Sequence, residues 1–292
     1  MVLAAELVDG FAHTLGRVLP YLAGMGVVFA LLSWLSPCNK GRPWWSKEGL
    51  VTDITYQLVV PLIGRYGRIG FAVLFTAYLL GIDTADGLVK FFDHGHGPIS
   101  ALPLWSQCLL YLVAGDFFLY WIHRAFHGAA LWRYHAIHHA SEELEWISAA
   151  RFHPVNLLLG TIAVDVAALM AGITPDIFLV VGPFNVISSA FVHANLDWTL
   201  GPFKYVVAGP VFHRWHHTRE TVGRNFAGTF SLWDWMFGTF HMPQGALPEN
   251  YGIADSDVPE SFGLQMLYPV LPGRIMAAVR GIKTLRAGAP AA

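Results

Sequence analysis

Charge is scarce in this chain. Asp, Glu, Lys and Arg make up 13% of its 292 residues, against roughly 25% in an ordinary soluble domain. The charge is also balanced, with 18 Lys and Arg facing 20 Asp and Glu. No basic surface for nucleic acid is therefore expected. Cysteine is nearly absent. Cys38 and Cys108 stand far apart without a CxxC, which excludes a disulfide framework and a zinc knuckle. There is no CxxCH for haem attachment, no iron–sulfur cysteine set and no Gly-rich dinucleotide fingerprint after a strand. The N-terminus carries Glu6 and Asp9 in place of a basic n-region. It reads as an uncleaved membrane anchor rather than a leader.

Hydrocarbon is in excess. Hydrophobic residues are 54% and aromatics 14% of the chain, and the mean hydropathy is +0.46. An all-α integral membrane protein with about four spans is expected. Residues 18–36 form one uncharged run and residues 101–122 another, broken only by Asp116. Residues 154–192 are apolar around a Gly172-Ile-Thr-Pro175 break and read as a helical hairpin, in which Asp165 hints at a shallow seat. Residues 51–82 are apolar but interrupted by Gly64, Arg65, Gly67 and Arg68. They read either as an interfacial helix with a short span or as one tilted span. Lys40, Arg42 and Lys47 follow the first span, whereas Asp83, Asp86 and Asp93 outweigh Lys90 in 83–100. The positive-inside rule then puts 37–50 in the cytoplasm and 83–100 outside.

Eight of the 14 histidines fall in three groups. They are His123-x-x-x-His127, His135-x-x-His138-His139 and His213-x-x-His216-His217. Residues three and four apart share a helix face, so each group is expected to aim its imidazoles at one spot. Neutral imidazole ligates iron, zinc, copper and nickel. Eight are more than one ion takes, so a two-metal centre is expected. The topology above brings all three groups to the cytoplasmic face.

The ends of the hairpin add His153 and His193 as candidate ligands, His153 being the weaker. Asp116 lies two helical turns before His123 and is a candidate for orienting an imidazole. His13, His94, His96 and His241 lie outside the pattern and are not expected to bind metal. The stretch 268–287 mixes apolar residues with Arg274, Arg280, Lys283 and Arg286. It is a candidate for lying on an anionic membrane surface.

Three segments carry a family resemblance. They are Asp116-Phe-Phe-Leu-Tyr120-Trp-Ile-His123-Arg124, Leu131-Trp-Arg-Tyr-His135, and Trp233-Asp234-Trp-Met-Phe237-Gly238-Thr239. With the histidine groups, they resemble the fatty acid hydroxylase and sterol desaturase superfamily of integral membrane di-iron proteins, over about residues 105–255. The resemblance implies a helical membrane anchor capped by a cytosolic helical domain around a histidine-bound di-iron centre. It implies O₂-dependent hydroxylation or desaturation of a lipid, with His123, His127, His135, His138, His139, His213, His216 and His217 as metal ligands. Two positions depart from it. Ser189 and His193 stand where some members carry a further HxxxH, with Asn195 or water as a substitute ligand. Asn156 stands where relatives often have an acid.

The expected organisation is an anchor region over 1–100, a catalytic domain over 101–255 and a tail over 256–292. The expected cofactors are two iron ions, with zinc accepted on overexpression, and O₂ as co-substrate. Electrons must come from outside, from a ferredoxin, a cytochrome b5-like protein or a reductase. Sterol, hopanoid, fatty acyl, sphingolipid, alkylglycerol and carotenoid substrates all remain open. The alternative is a membrane metal transporter or sensor without oxygenase activity. Transport would place ligands within the spans, whereas these cluster at span ends. A b-type cytochrome would need two axial histidines facing each other within spans.

Overall fold

The computed structural model describes residues 2–93, 95–221, 223–271 and 273. His94, Arg274, Arg280, Lys283 and Arg286 lie outside the described residues. Among the described residues the fold is helical, with no strand and one isolated bridge between Thr218 and Tyr251.

Helix α1 runs Val2–Leu35 and α2 runs Leu50–Leu80. Helix α3 (Leu104–Phe126) leads into the short α4 (Trp132–His139). The expected hairpin forms as α5 (Pro154–Met170) and α6 (Ile177–His193). Helix α7 (Pro210–His216) follows. The Gly172-to-Pro175 break is a real turn. Gly172 has φ +101°, and a Cβ there would sit 2.0 Å from the His96 carbonyl oxygen. Only glycine fits.

The interruptions in 51–82 do not break the helix, which continues for 31 residues. They are contact points instead. A Cβ on Gly67 would lie 2.8 Å from Ile162 Cδ1, so its absence lets α2 pack on α5. Arg65 donates to Thr14 Oγ1 on α1 at 3.1 Å, and Arg68 donates to Asp165 Oδ2 on α5 at 2.7 Å. Asp165 thus has a cationic partner across the helices.

Among the described residues, two helices are long and apolar enough to cross a membrane, Asp9–Leu35 and Leu50–Leu80. The expected crossing at 101–122 forms a helix, but buries Gln107 and Asp116 within it. The hairpin helices have 17 residues each, about 25 Å of rise against ~30 Å of hydrocarbon. Large apolar side chains coat the outside, among them Trp34, Leu74, Tyr78, Trp105, Leu179 and Ile187. Such a coat on long apolar helices points to membrane association.

At one end of the helices lies a polar clamp. Lys47 and Arg151 both pair with the buried Asp53, and Lys47 also donates to Ser148 Oγ at 2.8 Å. Removing one partner of such a buried set leaves an uncompensated charge. The clamp ties the start of α2 to the segments that flank α4 and α5.

Candidate metal centre

Four helix ends converge. The end of α3 supplies His123, with His127 just after it; α4 supplies His135, His138 and His139. The last residue of α6 is His193, and α7 supplies His213 and His216 with His217 at its cap. Their ring nitrogens form two groups. One group holds His123, His127, His135, His139 and His216, and the other holds His138, His193, His213 and His217. Within each group the nitrogens lie within 4.8 Å of one another.

The expectation that each HxxHH aims at one spot is corrected here. His135 and His139 join the first group while His138 joins the second. His213 and His217 join the second group while His216 joins the first. Positions i and i+4 differ by about 40° around a helix, but i+3 and i+4 differ by about 100°. Each box therefore gives its i,i+4 pair to one group and its middle histidine to the other.

Backbone carbonyls and one carboxamide fix the rings. His123 Nδ1 bonds to the Phe226 carbonyl and His216 Nδ1 to the Arg224 carbonyl at 2.6 Å. His193 Nδ1 bonds to the Ser189 carbonyl at 2.7 Å, and His135 Nδ1 to Asn156 Oδ1 at 2.8 Å. An oxygen acceptor requires the ring nitrogen to donate, so Nδ1 carries the proton and Nε2 a lone pair. Yet His123 Nε2 faces His135 Nε2 at 2.9 Å. In the second group His193 Nε2 lies 3.2 Å from His138 Nε2 and 3.3 Å from His213 Nε2, and the Nδ1 atoms of His138 and His213 are buried without a partner. The Nε2 atoms of His127 and His216 are buried without a partner. Converging lone pairs repel unless a cation lies among them. Metal–nitrogen bonds of about 2.1 Å give nitrogen–nitrogen edges of about 3.0 to 3.4 Å, and the observed spacings fall near that range. The donor set fits metal ions.

Burial pushes the pKa of His135, His138, His139, His213, His216 and His217 well down, and the charge that neighbouring imidazoles would carry pushes the same way. These rings are neutral at physiological pH, the state in which an imidazole can bind a metal.

Of the weaker candidates, His193 joins a group and His153 does not. His153 accepts from the Val155 N–H at 3.1 Å and bonds to the Met266 carbonyl at 3.1 Å. Both of its nitrogens serve backbone. Asp116 faces no imidazole. It accepts from the N–H groups of Thr229 and Phe230 and from the Trp233 indole, at 2.9–3.0 Å. Asn195 stands behind the site, pairing both ways with the Asn39 backbone at 2.9 Å. His13, His96 and His241 join neither group.

Several supporting residues have no role assigned by the sequence. Asp234 accepts from the N–H groups of Phe226 and Ala227 at 2.8 Å and from Thr239 Oγ1 at 2.6 Å. It thereby fixes the strand of chain whose carbonyls hold His123 and His216. Asn225, at φ +56°, donates to the Phe212 and His241 carbonyls at 2.7 Å. Arg214 is buried inside the third histidine box. It donates to the Leu144 and His193 carbonyls, Asn39 Oδ1 and the Tyr251 hydroxyl. An arginine between ligand candidates, in so uncharged a chain, is the signal that could have revealed it.

A cavity of about 220 Å³ opens beside the histidines, lined by His123, His135, His138, His193 and His213 and by apolar side chains of α3, α5 and α6. Gly160 lines it where α5 kinks, its φ of −99° and ψ of −109° lying outside the helical region.

Residues 108–239 match the fatty acid hydroxylase family model. The chain belongs to the fatty acid hydroxylase/sterol desaturase superfamily. It is 28% identical over 261 residues to an ornithine lipid hydroxylase of Rhizobium tropici, covering 88% of this chain and 76% of that protein. It is 33% identical over 227 residues to the alkylglycerol monooxygenase of Homo sapiens, covering 77% and 47%. Methylsterol monooxygenase 2-2 of Arabidopsis thaliana is 30% identical over 149 residues, covering 47% and 55%. The chain thus spans about half the length of the latter two relatives. No solved structure matches it.

Proposed function

We propose that this superfamily member is a membrane-bound oxygenase in which two histidine-held iron ions use O₂ to hydroxylate or desaturate a lipid. One observation carries the reading. Nine buried or half-buried imidazoles converge in two groups with Nε2 atoms facing one another, beside a largely apolar cavity. The named relatives, which act on lipids as hydroxylases and monooxygenases, support it.

The ions would supply activation of O₂, which side chains cannot. The chain's own residues do the rest. The carbonyls of Phe226, Ser189 and Arg224, with Asn156, hold four rings in the tautomer that leaves Nε2 free. Apolar side chains of α3, α5 and α6 exclude water and hold the lipid. Hydroxylation consumes R–H, O₂, two electrons and two protons and yields R–OH and water. Desaturation removes two hydrogens from adjacent carbons and, with O₂, two electrons and two protons, yields the alkene and two waters. An external donor supplies the electrons: a ferredoxin, a cytochrome b5-like protein or a reductase. The catalytic unit is assigned to 101–255, with the histidines at the cytoplasmic face.

Metal content tests this directly. Protein purified anaerobically from iron-supplemented cells should hold about two iron ions per chain. A His138→Ala, His216→Ala variant removes one imidazole from each group and should lose most of the metal while staying folded. Lipid profiles of cells with and without the protein should then differ by an added oxygen or a lost pair of hydrogens. One ion or none in folded wild-type protein would overturn the two-metal reading.

A further inference from the structure

A second cavity, of about 430 Å³, adjoins the first. Its walls are hydrocarbon, among them Ile99, Leu110, Phe118, Ala163, Ala167 and Ile173. Tyr111, Gly115 and Ile122 line both cavities and fall on one face of α3. The hydroxyl of Tyr111 is spoken for. It donates to Asp165, which also accepts from Arg68. An ion pair inside an apolar helix layer is costly and marks function by default. Here it pins the side chain where the two cavities meet. Tyr111 and His123 are twelve residues apart, about 18 Å along α3.

The inner cavity differs in chemistry. Asn185, Ser188 and Thr161 line it, and none of their side chains makes a hydrogen bond to a described residue. Asn185 and His193 share a face of α6 two turns apart, about 12 Å, with Ser188 between them in height. Neither cavity is lined by Lys or Arg. From the metal centre outward, the order is histidines, then free amide and hydroxyl groups, then Tyr111, then a purely apolar groove.

We infer that the substrate lipid lies along this path in one direction. Its polar linkage (an ester, amide, ether or hydroxyl) sits among Asn185, Ser188 and Thr161, and its chain runs past Tyr111 into the outer groove. The inference rests on the proposed lipid substrate. A hydrocarbon chain gains little by leaving a bilayer for a groove, since lipid is already apolar. Orientation is therefore decided by the polar groups, which find no partners elsewhere in hydrocarbon. The carbon brought to the metal centre belongs to the polar end of the lipid, beside the linkage, and the chain terminus is remote from it.

Two photoreactive alkylglycerol ethers of one chain length test this, one with a diazirine at the chain terminus and one with it near the ether oxygen. Each is crosslinked to the full chain, metal-loaded and in lipid nanodiscs, and the labelled residues are read by peptide mass spectrometry. The terminal probe should label α5 around Ala163 and Ala167. The near-ether probe should label α6 around Asn185 and Ser188. Ala167→Phe should cut terminal labelling at least tenfold with metal content unchanged, and Asn185→Leu should cut near-ether labelling. Reversed labelling, or labelling confined to outward residues such as Leu179 and Val186, would overturn the inference. The labelling needs no turnover. Absence of any oxidised lipid would thus count against the proposed reaction alone, whereas a product oxidised at the chain terminus would overturn the orientation and leave the reaction standing.

Discussion

Acid should unfold the metal-stripped protein far more readily than an ordinary helical protein. His135, His138, His139, His213, His216 and His217 are buried with pKa values pushed well down. In the unfolded chain the same side chains take up protons near pH 6.5. Above that pH both states are neutral and stability is untouched. Below it the unfolded state gains protons that the folded state refuses, so stability falls as pH falls. At pH 5.5 the gain is about 1.4 kcal/mol per histidine. Six together reach about 8 kcal/mol, comparable with the whole stability of a typical domain, roughly 5–15 kcal/mol. The assay is tryptophan-fluorescence melting of chelator-treated protein in nanodiscs. Between pH 8 and 7 the melting temperature should hold. Between pH 7 and 5.5 it should drop by about 20 °C. Metal-loaded protein should resist to lower pH, because a bound cation competes with the proton. A stripped protein whose melting temperature moves by less than about 3 °C over that range would refute the claim that these rings are buried and neutral.

Three further outcomes are expected. Asp234→Ala strands two backbone N–H groups and the Thr239 hydroxyl, at about 1–3 kcal/mol each; melting should fall sharply and metal should be lost, the His123 and His216 side first. Asn156→Ala removes the acceptor of His135 Nδ1 and should weaken metal binding by about 10- to 100-fold in chelator competition, while Asn156→Asp should retain it. His153→Ala should leave metal content unchanged in elemental analysis, because both ring nitrogens serve backbone; loss of half the metal would restore His153 as a ligand candidate.

The sequence by itself determined the periodic features. A long apolar run yields α1, whereas the continuity of α2 through Gly64 to Arg68 is left open by its sequence. Gly172 and Pro175 bracket the hairpin turn, because a residue without Cβ is required there. The three histidine groups yield ring clusters at helix ends, because three- and four-residue spacing is a local property of a helix. Tertiary structure alone decided how the rings divide. An HxxHH box spreads its i+3 and i+4 positions about 100° apart, and only the meeting of the α4 rings with the α7 rings shows that both HxxHH boxes serve both groups. It also decided what holds the rings. Every residue offers a carbonyl, so nothing in the sequence marks those of Phe226, Arg224 and Ser189 as the acceptors. Asp116 stands two turns below His123, yet the loop at 229–233 reaches its carboxylate first. Asn156, noticed in sequence only as a departure from relatives, proves to orient His135. Spacing along one chain fixes which side chains share a face. Which partner that face meets depends on contacts between residues far apart in sequence, and those exist only once the helices have packed.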